Sequence, residues 1–103
     1  MSIEFTLQPQ PRFKADVAIP RAGLEAGIVT FTFKHVPLNE MAEREKRKNQ
    51  TGLDFVEHIT AAWALPDELN RDNLTKLANN YPQAIEAIIH TFYRELLGQR
   101  EKN

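Results

Sequence analysis

The chain has 103 residues, of which 42% are hydrophobic and 26% charged, and its formal net charge is −1. This length supports one domain with a hydrophobic core, and the balance of apolar and charged residues is typical of a globular protein rather than a disordered segment. The near-neutral charge disfavours a dedicated nucleic-acid-binding domain, which usually carries a pronounced basic excess.

The absence of cysteine removes disulfides, thiol nucleophiles and thiolate metal ligands. No segment approaches ~18 consecutive apolar residues, and the first residues lack the basic-then-apolar order of a signal peptide. We therefore expect no membrane partner and a cytoplasmic location.

The N-terminal third predicts a β-hairpin. Residues 1–11 contain Pro9 and Pro11, which favour extended backbone, so a flexible or edge-lying arm is expected there. Apolar and polar residues then alternate over residues 12–19 and again over residues 28–35, which indicates two strands with one buried face each. The buried faces are predicted to carry Phe13, Ala15, Val17 and Ile19 in the first strand, and Val29, Phe31 and Phe33 in the second. A short loop containing glycine joins the runs, as in an antiparallel hairpin.

Two helices are predicted next. Strong helix formers occupy residues 40–50, with Asn39 as the expected N-cap and little apolar surface. Thr51 and Asp54 have the spacing of a capping box for a second helix, which is expected to end before Pro66. Its buried face is predicted to carry Phe55, Val56, Ile59, Ala62 and Trp63.

Two further helices are predicted in the C-terminal third. The third is short and has Asn70 or Asp72 as its cap, and Asn79 and Asn80 are expected to close it in the left-handed conformation. Pro82 is expected at the first position of the fourth helix. The core face of this helix is predicted to carry Tyr81, Ile85, Ile88, Ile89, Phe92 and Leu96.

Together these elements predict an α+β fold, an N-terminal antiparallel β-hairpin followed by about four helices in one small domain. The domain is expected to span residues 12–98, with a frayed tail at 99–103. The predicted core consists of Phe31, Phe33, Phe55, Ile59, Trp63, Ile85, Ile88 and Phe92.

No motif for a nucleophile, a phosphate-binding loop, a dinucleotide site or a zinc protease is present, so we predict neither an enzyme nor a cofactor. Asp54 and His58 share a helical face at a spacing that can bind a metal. A metal site needs further ligands and supporting hydrogen bonds, so pairing at the surface is the favoured interpretation.

Two sets of residues are candidates for contact with a partner. Met41, Tyr93 and Leu97 are apolar residues without an obvious place inside the fold, and the hairpin leaves strand edges unpaired, so both features suit association with other proteins. The alternative is a small nucleic-acid-binding regulator that uses the interrupted basic run. The basic residues in that run are Arg44, Lys46, Arg47 and Lys48.

Three stretches, "FKADVAIPRAG", "VTFTFKH" and "ITAAWALPDELNRDNLTKLANNYPQAIEAIIHTFYRELLGQREKN", resemble the small tail assembly chaperones of long-tailed bacteriophages and prophages. The resemblance covers residues 13–103 and depends on order and spacing rather than on a catalytic motif. Its most specific features are Ile19-Pro20 with Gly23 after it, Phe31-x-Phe33 followed by Lys34-His35, Trp63, and Tyr81-Pro82-x-Ala84.

The resemblance implies a function in binding rather than catalysis. Members of that family bind the long helical tape measure protein in the host cytoplasm and keep it soluble while tube subunits assemble around it. A long amphipathic helix would otherwise aggregate through its apolar stripe. A structural tail subunit that is retained in the virion remains an alternative, and an oligomer of identical chains is left open.

The family also often makes a longer product by a −1 ribosomal frameshift, and the added region recruits the tail tube protein. Glu101-Lys102-Asn103 can be encoded GAA AAA AAC, which contains the heptamer A AAA AAC in the phase needed for slippage. These residues are therefore either the record of a slip site or a frayed charged tail.

Overall fold

A computed structural model describes residues 5–98 of the chain. The described residues form β1 (Arg12–Arg21), β2 (Leu24–Lys34), α1 (Leu38–Glu45), α2 (Gly52–Ile59), β3 (Thr60–Trp63), α3 (Arg71–Asn80) and α4 (Ala84–Leu96). The predicted α+β fold, with an N-terminal antiparallel hairpin and four helices, is confirmed. The division into arm, domain and tail stays a prediction.

The hairpin forms because alternating residues give each strand one apolar face. β1 and β2 pair in antiparallel register, with Phe13 opposite Phe33 and Val17 opposite Val29. Val17, Phe31 and Phe33 are completely buried, which confirms the predicted inward faces. At the connecting turn Gly23 has φ 72°, a conformation that glycine adopts without the steric cost of a Cβ.

The prediction that the second helix continues through Ala62 and Trp63 is wrong. α2 ends at Ile59, and the next four residues form β3, which pairs antiparallel with β2 and places Trp63 opposite Phe31. Pairing with β2 satisfies backbone groups that a bare strand edge would leave exposed, and a short apolar run is ambiguous between helix and strand by spacing alone. The sheet therefore has the order β1-β2-β3 within the described residues.

The core lies between the inner face of the sheet and the helices. Phe92 of α4 is at its centre and lies 5.4–5.9 Å, centroid to centroid, from four other rings. Those rings belong to Phe13, Phe33, Phe55 and Tyr93. Of the eight predicted core residues, Trp63 and Ile85 are only partly buried and the others are buried.

Local capping signals confirm two helix starts. In α2 the Asp54 N–H donates to Thr51 Oγ1 at 3.1 Å, and the Thr51 N–H donates to Asp54 Oδ2 at 3.0 Å, so the predicted capping box is present. In α3 the Asn73 N–H donates to Asn70 Oδ1 at 2.8 Å, which selects Asn70 as the cap.

The first helix is shorter than predicted and has a different start. α1 begins after Pro37, so Asn39 lies inside it, where its side chain accepts only from the adjacent Glu40 N–H. The helix ends at Glu45. Met41 is its only buried residue, and without further packing partners the charged residues that follow gain too little to continue the helix.

The corner between α3 and α4 also differs from the prediction. Asn79 and Asn80 lie in the last turn of α3, and no non-glycine residue among 5–98 has positive φ. Tyr81 ends the helix with φ −131° and ψ 85°, because a residue before proline is pushed out of the helical region. Pro82 therefore lies in a turn, and α4 begins two residues later at Ala84.

Candidate functional site

An apolar groove of about 390 Å³ lies between the hairpin and α3. Its apolar walls are Ile19, Val29, Trp63, Leu65, Leu77 and Tyr81, and Gly27 lies among them. Arg21, Asp67, Asn73, Lys76 and Asn80 complete the lining with polar groups. Such a hollow has the size and chemistry of a site for apolar side chains.

Trp63 forms one wall of this groove rather than part of the central core. Its indole Nε1–H donates to the Asp67 carbonyl oxygen at 2.8 Å, and its ring meets Phe31 edge to face at 6.1 Å. Sequence reasoning missed the groove because it placed Trp63 on a helix. The available signal was the short apolar run over residues 60–63, whose spacing fits a strand as well as a helix.

A second apolar surface lies along α4. Ile89, Tyr93 and Leu97 follow one another at i, i+4 and i+8, and a helix places such residues on one side. Leu97, at the helix end, is 57% exposed, and the other two are partly buried. Ile89 and Tyr93 border a hollow of about 270 Å³, which Gly52 and Phe55 of α2 also line. Five polar residues complete its lining: Arg44, Glu45, Arg47, Gln50 and Thr51. We name the side chains of Ile89, Tyr93 and Leu97 the α4 stripe.

Tyr93 has a clear place inside the fold, contrary to the sequence expectation. Its ring stacks on Phe55 with centroids 5.8 Å apart and an interplanar angle of 9°. Partial burial and, to a smaller extent, the Glu45 carboxylate raise the pKa of the Tyr93 phenol above its usual value. The phenol is therefore an uncharged group beside an apolar surface.

Met41 also has an intramolecular place. It is 4% exposed and belongs to the main hydrophobic core. The expectation that Met41 lacks such a place is wrong, because α1 lays this side chain against the rest of the core. Of the three candidate contact residues, Leu97 alone is largely exposed.

Three of the four basic candidates share a surface. Arg44, Arg47 and Lys48 line one open hollow of about 480 Å³, which Asp54 also borders, whereas Lys46 does not contribute. Arg44 is half-buried and its Nε has no hydrogen-bond partner among the described residues. Their use in nucleic-acid binding stays a prediction.

The predicted Asp54–His58 couple is replaced by pairs with other residues. Arg71 Nη1 lies 2.6 Å from Asp54 Oδ1 and 3.1 Å from Glu57 Oε1, and His58 Nε2 lies 2.7 Å from Glu40 Oε2. The backbone N–H of Thr51 and then Arg71 lower the pKa of Asp54 from 3.8 to about 2. Residues 5–98 hold no group of three acidic, histidine or cysteine side chains placed to bind a metal ion.

The predicted slip-site residues Glu101, Lys102 and Asn103 lie outside the described residues. Among residues 5–98, none of the helices combines the length and apolar character needed to cross a bilayer.

A small α+β domain with an apolar groove and a partly exposed apolar stripe has the features of a protein-binding domain. A family model described as phage tail assembly chaperone matches residues 1–103, the whole chain. The chain belongs to the phage tail assembly chaperone family. Searches of curated proteins and of solved structures find no match to it.

Proposed function

We propose that this chain binds the tape measure protein of a long-tailed phage or prophage and keeps it soluble in the host cytoplasm until tube subunits enclose it. The observation that carries the proposal is the match of the whole chain to the tail assembly chaperone family. Binding without chemical turnover or a cofactor is sufficient for this function.

The α4 stripe is the surface that we propose for this contact. A tape measure protein is a long helix with an apolar stripe, and side chains spaced at i, i+4 and i+8 are suited to packing against another helix. The hollow beside Tyr93 provides room for side chains from the client helix. A patch of this size binds weakly, so effective capture requires several copies along one client.

Co-expression with the tape measure protein tests the proposal, with the soluble fraction of that protein as the measurement. The unaltered chain should raise this fraction, and Leu97→Asp should remove most of the effect because it puts a charge into the apolar contact. The melting temperature should stay nearly constant, since Leu97 is 57% exposed.

Leu38→Asp is the matched control, because Leu38 is also a largely exposed leucine, at 81%, but lies at the start of α1. This variant should rescue solubility as well as the unaltered chain does. If both variants rescue solubility as well as the unaltered chain does, α4 is not part of the contact surface. If the unaltered chain does not rescue solubility, the proposed function is contradicted. Tyr93 is probed by Tyr93→Phe, which keeps the ring that stacks on Phe55.

Two further measurements separate the alternatives. If purified virions contain the chain, it is a structural subunit. If the chain binds DNA in a salt-dependent way that is lost when Arg44, Arg47 and Lys48 are neutralised, the basic hollow has the regulatory function.

We also propose a longer −1 frameshift product that recruits the tail tube protein. The codons for Glu101 and Lys102 test this directly, because GAG or AAG at these positions would interrupt the slippery heptamer.

A further inference from the structure

The described part of the N-terminal arm exposes two large apolar side chains. Phe5 is 89% and Leu7 is 96% exposed, the highest values among the large hydrophobic residues of the described chain. Thr6 lies between them, so an extended backbone would place both apolar side chains on one face. Leaving this much apolar area in water is unfavourable unless another surface covers it.

One side of β2 is open over its first half. β3 pairs with Phe31, Thr32 and Phe33, and the Ala64 N–H then donates to the Thr30 carbonyl oxygen at 2.9 Å. Within residues 5–98 no backbone hydrogen bond joins that side of β2 to the chain beyond this point. β2 itself extends back to Leu24.

The backbone direction along this open side follows from the strand geometry. Successive residues of an antiparallel strand direct their N–H and C=O groups to opposite sides. Since Thr30 bonds toward β3, Ile28 directs its N–H and C=O to the same side, where residues 5–98 provide no backbone partner. Ile28 is therefore a position where an added strand can form hydrogen bonds.

The apolar groove lies at this open edge. Val29 and Gly27, the two neighbours of Ile28, both line it, and Trp63 and Leu77 stand among its walls. Gly27 has no side chain, and the long, exposed Arg21 side chain lies beside it, 3.5 Å from where a Cβ would stand, so an added strand would pack against or displace Arg21 there. The volume of about 390 Å³ lies in the range of ~300 to ~1,000 Å³ that holds organic ligands in proteins.

We infer that the N-terminal arm of a second copy of this chain adds a strand beside Ile28 and places Phe5 and Leu7 in the groove. With Thr6 opposite Ile28, the side chains of Phe5 and Leu7 fall beside Val29 and Gly27, on the face of the sheet that borders the groove. The apolar walls of the groove would cover the two exposed apolar side chains.

The arm of the same chain is too short to make this contact. Ile28 lies opposite Ala18, seven residues along β1 from Pro11, which is ~23 Å at ~3.3 Å per residue. Even fully extended from Pro11, Leu7 reaches ~14 Å and Phe5 ~21 Å. The added strand is also displaced sideways by two strand spacings of ~4.8 Å each. The occupant therefore comes from another molecule.

Exchange of arms in both directions closes a two-fold dimer. This association uses the arm and the β2 edge, whereas the proposed client contact uses α4, so either proposal can fail without the other. Two short arms make a small interface, so the dimer is expected to be weak and to form only at high protein concentration.

Sedimentation equilibrium over a concentration series tests the inference. The unaltered chain should approach the mass of a dimer at the highest concentrations, and the double variant Phe5→Ser, Leu7→Ser should remain a monomer. Both residues are exposed on the arm, so this change should leave the melting temperature unaltered. The control Gln8→Ser, Gln10→Ser changes the same arm without removing apolar side chains and should dimerise normally. A monomer at every concentration, or a dimer that persists in the double variant, would overturn the inference.

Cross-linking locates the contact, and the chain contains no native cysteine to interfere. One tagged copy carries Leu7→Cys and a differently tagged copy carries Lys76→Cys at the groove. Mild oxidation of the mixture should link the two tags. Lys14→Cys, on the strand β1 at the other edge of the sheet, replaces Lys76→Cys as the control and should link at least tenfold less. Equal or stronger linking to Lys14→Cys would mean that the arm binds at the β1 edge of the sheet, which would refute the proposed site.

Discussion

The two faces of β2 differ in what covers them. Phe31 and Phe33 lie on the inner face, where Phe92 of α4 packs against Phe33, and both side chains are completely buried. Ile28 is an odd number of positions from both and lies on the outer face, where its side chain is 64% exposed. The comparison shows that alternation decides which face a residue is on, whereas neighbouring elements decide whether that face is covered.

The largest expected difference between the covered and the exposed face of β2 is in packing. Phe92→Ala removes the ring at the centre of the aromatic cluster and should lower the free energy of unfolding by about 3–5 kcal/mol. Ile28→Ala should change it by less than ~0.5 kcal/mol, since most of that side chain is already in water. Urea denaturation of both variants provides the measurement. A similar loss for the two would mean that the outer face of β2 is covered in solution.

At the turn that joins β1 and β2, backbone strain should decide how a substitution changes the free energy of unfolding. Gly23→Ala forces a Cβ into φ 72° and should cost about 1–2 kcal/mol, although nothing lies within 4 Å of the added atom. Gly27→Ala has no such strain, and its Cβ would meet the Arg21 side chain at an ordinary 3.5 Å. This second variant should be neutral or slightly stabilising. If thermal unfolding shows equal losses for the two glycines, the left-handed turn is not what constrains the hairpin.

The smallest expected effect is a pH dependence at the start of α2, the helix that leads into β3. The pKa of Asp54 is about 2 in the folded chain and 3.8 in its ordinary range, so its stabilising contribution is complete above pH ~4. This contribution should be lost as the pH falls through ~2, and the melting temperature should decrease over that interval. In Asp54→Asn the decrease should be shallower, whereas Asp72→Asn, at an exposed aspartate of α3, should keep it. An unchanged profile in Asp54→Asn would exclude this carboxylate as the cause.

The elements that were predicted correctly depend on local information. The alternation around Val17 and Phe31 is a property of a few successive residues, and the capping box of Thr51 and Asp54 closes within three positions. Such signals act through backbone geometry that is the same in any tertiary setting. The contribution of Asn70 to α3 is of the same kind.

The candidate surfaces were predicted less well. Sequence reasoning identified Leu97 as an exposed apolar residue, but it assigned Ile89 wholly to the core and expected Met41 outside it. The helical periodicity gives the angular positions of residues around α4, but it does not say how much of that surface another element covers. The covered part depends on where α2 packs, which is decided by residues far away in the chain.

The amino-acid sequence by itself determined the hairpin, the inward faces of its strands, the main helix caps and the absence of thiol chemistry, because each of these follows from neighbouring residues or from composition. Only the tertiary structure decided that residues 60–63 join the sheet, that Trp63 borders a groove and that half of β2 stays open. These features depend on long-range strand pairing, in which the hydrogen bonds offered by a distant strand override a local preference for helix.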